Sequence, residues 1–204
     1  SCPVKTEVNS ETISFLTETK SINLPKFFIP SVMHNKGNFI ISLGSTCKWL
    51  ATKAEALGVE IYPGFAASDM ILSENKLCGI ITSDLGIGKD GQPGPNFQPG
   101  IEIHSKYTLF AEGCRGHLGK KLMNHFKLRE NVQHQTYGIG LKELWEIKTE
   151  NARPGHVMHT IGWPLDSQTY GGSFLYHLSK NLVSVGFVIG LDYKNPYLSP
   201  YEEF

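Results

Sequence analysis

The sequence predicts an α+β chain in two lobes, and three observations carry that reading. One well-punctuated helical segment is flanked by strand-like segments. Three short apolar runs then lead to a glycine-rich turn that opens a second helical segment. From Gln135 onward, strand patterns follow one another without an intervening helix.

Residues 12 to 24 alternate loosely through Ile13, Phe15, Leu16, Ile22 and Leu24, as one or two strands of a hairpin do. Residues 25 to 33 are apolar (Phe27, Phe28, Ile29, Met33) but carry Pro25 and Pro30, which forbid a regular helix. Residues 34 to 38 make a turn into a strand at 39 to 43. From Ser45 to Leu57, Cys47, Leu50, Ala51, Ala54 and Leu57 recur at helical spacing, with Ser45 or Thr46 as N-cap and Gly58 as C-cap. A short strand is expected at 59 to 62, directly after that glycine.

Three further strands at 65 to 71, 77 to 83 and 101 to 110 read as a β-meander, with the glycine- and proline-rich stretch 86 to 100 read as loop. Residues 113 to 126 read as helix, with Leu118, Leu122 and Phe126 on one face. Strands follow at 137 to 146, 158 to 163, 172 to 178 and 182 to 190. The order helix, strand, meander, strand, glycine turn, helix matches the second half of a Rossmann-type domain, in which a small antiparallel sheet precedes the last parallel strand.

Nineteen basic and nineteen acidic side chains cancel, so nothing draws the whole chain to polyanions, and nucleic acid is excluded as a partner. Cys2, Cys47, Cys78 and Cys114 lie more than thirty residues apart and form no CxxC pair, so they read as free thiols rather than zinc or cluster ligands. No apolar run reaches the roughly 18 residues of a membrane span. Paired acid/base carboxylates and hydrolase motifs are not seen, and no catalytic side chain is singled out.

Two constellations carry chemistry. In residues 107 to 119 a strand runs into Glu112, Gly113 and Gly116 and then a helix. Glycines admit a ligand to the backbone, helix-start N–H groups favour phosphate, and Glu112 can accept from a ribityl or sugar hydroxyl. A tight turn with no ligand fits the spacing equally well. In residues 162 to 177, Gly171 and Gly172 stand between Tyr170 and Phe174, a combination suited to a planar carbonyl ligand. From the residues alone, a β-bulge or hairpin turn in an aromatic-rich sheet is favoured over a site. His156 and His159 are expected on opposite faces of a strand, and not on one metal. Gly86 and Gly88 open no helix, so they lack the context of a dinucleotide fingerprint.

Longer phrases decide more than these motifs. AEGCRGHLGKKL (111–122), QTYGIGLKELWEI (135–147), GWPLDSQTYGGSFLYHL (162–178) and VGFVIGLDYKNPYLSPYEEF (185–204) resemble the electron-transfer flavoprotein:ubiquinone oxidoreductase family. So does NFIISLG (38–44) followed by WLATKAEALGVEIYPGFAA (49–67). The resemblance implies an FAD, a [4Fe-4S] cluster and a ubiquinone pocket. It also implies electrons arriving from reduced electron-transfer flavoprotein, and attachment to the matrix face of the mitochondrial inner membrane or to a bacterial membrane surface.

Carried onto this chain, the resemblance places the quinone at Gly171, Gly172, Tyr170 and Phe174, and the FAD near Glu112, Gly113 and Gly116. Residues 1 to 134 are then part of an FAD-binding domain, with a hairpin and a membrane-proximal loop. Residues 135 to 204 are part of an antiparallel ubiquinone-binding lobe. The family's amino-terminal glycine fingerprint and cluster cysteines fall outside the chain, so an interior fragment is expected that binds FAD weakly and does not turn over alone. Ser42 stands where the family is expected to carry arginine. A geranylgeranyl-reductase-like FAD enzyme and a non-catalytic paralogue are the alternatives, and the TYGGSFLYH and NPYLSP phrases argue against the first.

Overall fold

The computed structural model describes residues 2 to 204. Chain order begins with β1 (Thr6–Glu7), β2 (Ser10–Leu16) and β3 (Ser21–Asn23), then β4 (Phe39–Ile40) and α1 (Leu43–Ala56). Next come β5 (Ala67–Ser73), β6 (Lys76–Thr82), β7 (Leu85–Ile87), β8 (Pro93–Gln98), β9 (Glu102–His104) and α2 (His117–His125). The chain finishes with β10 (Gly138–Glu146), β11 (His156–Gly162), β12 (Gly171–His177), β13 (Leu182–Gly190) and α3 (Pro200–Glu203). The fold is thus mixed α+β, with few helices and mostly antiparallel sheets.

Two compact units divide the chain. One holds the stretch up to Val59 together with His134–Phe204, the other Glu60–Gln133. A division into 1–134 and 135–204 therefore does not describe the packing, because the amino-terminal strands belong with the carboxy-terminal ones. The cause is a parallel ladder between β2 and β11 running from Ser10↔His156 to Leu16↔Gly162.

The first unit is built on a six-stranded sheet in the order β10-β13-β12-β11-β2-β3, antiparallel everywhere except that ladder. Alternation sends Phe187 and Ile189 of β13 to one face, where Leu165 joins them under Tyr193, Leu198 and Phe204. Ser14, His156 and His177 are buried on that same face. The opposite face carries Glu11, Ile13, His159, Gly172, Phe174, Tyr176, Gly186 and Val188. The prolines at 25 and 30 each precede a single 3-10 turn, Lys26–Phe28 and Ser31–Met33, in place of a helix.

Helix α1 starts earlier than periodicity suggests. Ser42, not Ser45 or Thr46, is the N-cap, its hydroxyl accepting from the Ser45 N–H at 3.4 Å. The strand expected at 39 to 43 is correspondingly cut to β4. At the other end, Val59 N–H closes onto Ala54 C=O, and residues 59 to 62 form no strand because nothing pairs with them.

In the second unit, β5, β6 and β9 make a three-stranded antiparallel sheet, the expected meander. Its third strand is only Glu102–His104, since Tyr107 and Leu109 stand almost wholly in solvent beyond it. The stretch 86 to 100 is not a plain loop. Leu85–Ile87 and Pro93–Gln98 pair as a hairpin around Gly91, whose φ of 77° makes the turn. Prolines survive in β8 because this two-stranded ribbon leaves its outer edge free of partners. Among the described residues β2 and β11 make the sole parallel pairing, so the strands here do not assemble the parallel sheet of a Rossmann half.

Candidate functional site

The glycine pair of the 162–177 phrase opens β12. The ladder to β13 runs through Gly171↔Ile189 and Gly172↔Val188, whereas the ladder to β11 stops at Thr160↔Ser173. Beside that ladder end lies a cavity of about 400 Å³, lined by His159, Tyr170, Gly171, Gly172, Phe174 and Val188 among others. Its size is that of a small-molecule site. A second hollow of about 700 Å³ shares Ile161, Tyr170 and Gly171 with it and extends over Phe15 and Trp163. All four residues expected at the quinone thus line one cavity. Residues 25 to 35 contribute to it as well, through Met33 and Asn35.

The glycines have a role in the fold itself. A Cβ on Gly172 would run into the Thr160 carbonyl oxygen, and one on Gly171 into the Val188 carbonyl oxygen and the Leu165 side chain. Close approach of backbone to backbone therefore requires glycine at both positions before any ligand is considered. Phe174 depends on a third glycine that the sequence did not single out. Its ring lies over Gly186, its partner on β13, where a Cβ would overlap Cζ and Cε1. Tyr176 packs against Phe174, ring centroids 4.7 Å apart and planes tilted by 34°.

His159 of β11 lines the cavity, and Tyr176 of β12 and Glu11 of β2 neighbour it on the same face of the sheet. His159 Nε2 and Tyr176 Oη are 2.7 Å apart, and both side chains are partly buried. Burial pulls the imidazole below its usual range, while Glu11 pulls it back up. Burial also raises the Tyr176 phenol. Glu11, on β2, accepts from Asn35 N–H at 2.7 Å and meets His34 Nδ1 at 3.0 Å. Burial pushes its carboxyl upward, but the Asn35 N–H and His34 outweigh that and hold it below the ordinary carboxylate range. His159 was legible only as half of a histidine pair on opposite faces. His156 does take the other face, 2.9 Å from Ser10 Oγ and beside His177. A cross-strand reading of His159 with Phe174 and Tyr176 needs the register, which the sequence does not carry.

The Glu112–Gly116 turn is arranged differently from the expectation. The Glu112 carboxylate folds back over the start of α2, accepting from Leu118 N–H at 3.3 Å and Gly119 N–H at 2.6 Å, with His117 Nδ1 at 3.3 Å. A Cβ on Gly116 would meet that same Glu112 side chain. The donors that would cradle a diphosphate are satisfied internally, and the helix start does not fit one. Gly113 is different: φ is 76° and nothing lies within 4 Å of its missing Cβ, so a ligand edge can approach there.

Among the described residues, no cluster of three His, Cys, Asp or Glu side chains could hold a metal, and Cys47, Cys78 and Cys114 are separate free thiols. No helix is long and apolar enough to cross a membrane.

Most of the residues that line this cavity fall within residues 137–204, which match the family model described as "ETF-QO, ubiquinone-binding". The rest of the chain agrees. It is 52% identical over 99% of its length to the electron transfer flavoprotein-ubiquinone oxidoreductase of Pseudomonas aeruginosa. It is 53% identical, over the same share, to the mitochondrial protein of that name from Bos taurus, and 52% identical to that of Homo sapiens. It covers 37% of the first relative and 33% of the other two, so the chain spans about a third of the length of the curated relatives it matches. Over nearly its whole length the chain is thus similar to proteins named electron transfer flavoprotein-ubiquinone oxidoreductase.

Proposed function

We propose that the chain carries the ubiquinone pocket of an oxidoreductase that takes electrons from reduced electron-transfer flavoprotein and reduces ubiquinone to ubiquinol. The cavity at Gly171 and Gly172, inside the segment matching a ubiquinone-binding family, is the observation that supports this most directly. Tyr170 and Phe174 flank the ring, and main-chain groups around Gly171 and Gly172 face a carbonyl where the β11 ladder has ended. The neighbouring hollow over Phe15, Ile161 and Trp163 suits the apolar tail of the same ligand.

An FAD would meet this chain at Gly113, beside Glu112 and Gly116, since the α2 start does not fit a diphosphate. FAD would supply electron transfer when bound. A [4Fe-4S] cluster takes its ligands from elsewhere. The exposed Phe27, Phe28 and Val32 beside the buried Ile29 suit a membrane surface, on the matrix face of the mitochondrial inner membrane or its bacterial counterpart, and Met33 of the same stretch lines the cavity.

Photolabelling with an azido-ubiquinone tests the pocket. The expected label falls on the peptides carrying Tyr170 and Phe174 and is competed by excess ubiquinone. Competable label confined to Glu60–Gln133 would overturn the reading.

A further inference from the structure

We infer that His159 is the acid that protonates one carbonyl oxygen of the ring held in this cavity, with Tyr176 as the positioning residue that orients its imidazole. The inference rests on the quinone reading above and adds the proton path that the reading leaves out. Reducing a quinone to a quinol takes two electrons and two protons, and each C=O becomes C–OH. The electrons come from a reduced flavin. The protons must come from groups or water at the ring.

His159 is the titratable side chain on the wall of the cavity that has a fixed partner there. Its ring projects from β11 on the face that carries Gly172 and Phe174. Nε2 is tied to Tyr176 Oη at 2.7 Å. Nδ1 has no hydrogen-bond partner among the described residues, and the ring leaves no buried nitrogen unsatisfied, so Nδ1 is open to a ligand or solvent. Tyr176 stays a neutral phenol, since burial raises its pKa. It accepts from Nε2–H when the imidazole is charged, which leaves the Nδ1 proton as the one to give.

The charged groups that face His159 are few. Glu11 on β2 favours its imidazolium, Tyr176 on β12 is neutral, and His34 reaches the site only through Glu11. Desolvation makes that imidazolium a stronger acid than a free one. In the step itself, the Nδ1–H bond breaks and an O–H bond forms at the carbonyl oxygen, made basic by the incoming electrons. Imidazolium becomes neutral imidazole and is recharged from water. The second proton reaches the far oxygen from solvent.

The test compares wild-type and His159→Gln holoenzyme, with a short-chain ubiquinone analogue as the probe. Two quantities are read: equilibrium affinity for the oxidised analogue, and the pH profile of kcat for its reduction. Wild-type kcat is expected to fall as pH rises through the titration of the imidazole. In H159Q, kcat drops on the order of 100-fold and that limb disappears, while affinity changes by less than about 3-fold. An H159Q enzyme with the wild-type kcat and limb overturns the inference. Tyr176→Phe supplies a second arm in case H159Q does not fold. Losing the phenol acceptor moves the limb to lower pH with KM little changed, and an unmoved limb again refutes the relay. Val188→Phe, which fills the cavity, separates the two levels of argument: if affinity for the analogue survives that change, the quinone reading itself has failed.

Discussion

Gly186→Ala is the substitution whose effect the geometry defines most sharply. The new Cβ would overlap Phe174 Cζ and Cε1, and on its other side it would sit 3.0 Å from the Leu141 carbonyl oxygen. Backbone blocks one direction, so relief has to come from Phe174 swinging off the sheet. Overpacking of this kind costs about 1 to 3 kcal/mol. Losing the Phe174–Tyr176 stack adds about 0.5 to 1.5 kcal/mol. The sum, about 1.5 to 4.5 kcal/mol, corresponds to a fall in the urea midpoint of roughly 0.8 to 2.2 M at a slope near 2 kcal/mol/M.

The assay is a double-mutant cycle in urea with Gly186→Ala, Phe174→Leu and the pair. Because the shorter side chain makes room for the Cβ, the pair should be more stable than the sum of the singles by at least about 1 kcal/mol. The displaced ring also leaves the cavity wall, so quinone-analogue affinity in G186A should fall roughly 10-fold, about 1.4 kcal/mol. Strict additivity in the cycle, or a midpoint shift under about 0.3 M, would show that the ring does not depend on a bare position 186.

Two further outcomes follow from polar groups. His156 is held below its usual range by burial and then by Arg153; His177 is held down by burial, then by His156, then by Arg153. Both are favoured neutral in the fold, so the unfolded chain binds more protons below the ordinary histidine pKa of about 6.5, and stability is full above that pH and lost as pH falls beneath it. Urea midpoints measured at stepped pH check this, and a wild-type curve flat through the acid range contradicts it. For Glu112→Ala, the loss of two acceptors at the start of α2 should cost about 1 to 2 kcal/mol and remove hydrogen-exchange protection from the Leu118 and Gly119 amides. Unchanged protection there would mean the carboxylate does not cap the helix in solution.

Local punctuation was legible wherever chain neighbours decide the outcome. The prolines at 25 and 30 stopped a helix, Gly58 with its φ of 87° ended one, and the alternation in 182 to 190 put Val183, Phe187 and Ile189 inside. What failed was decided at a distance. Residues 59 to 62 have the composition of a strand but no partner, and 93 to 98 have the composition of a loop but find one in β7. Ser42, which looked like a missing arginine, is a helix cap.

In the site, the aromatic and glycine residues were visible because they cluster in sequence. The polar group of Glu11, His159 and Tyr176 was not, because its members come from three strands whose register depends on packing. Glu112 was visible as a ligand-directed acid, yet its carboxylate is engaged by its own helix, a choice between partners that spacing cannot reveal.

The parallel ladder of β2 on β11 has a temporal side. Ser10 and His156, which meet at its first rung, are 146 residues apart in the chain. At the roughly 5 to 20 residues per second of protein synthesis, β2 leaves the ribosome about 7 to 30 s before its partner exists. Through that interval the β2–β3 hairpin has an unmatched edge carrying Ile13 and Phe15, while Glu60–Gln133 can complete its own contacts. Strand β2 is therefore made early and seated late, which leaves the nascent amino-terminal hairpin as the segment most exposed to mispairing and to capture by chaperones.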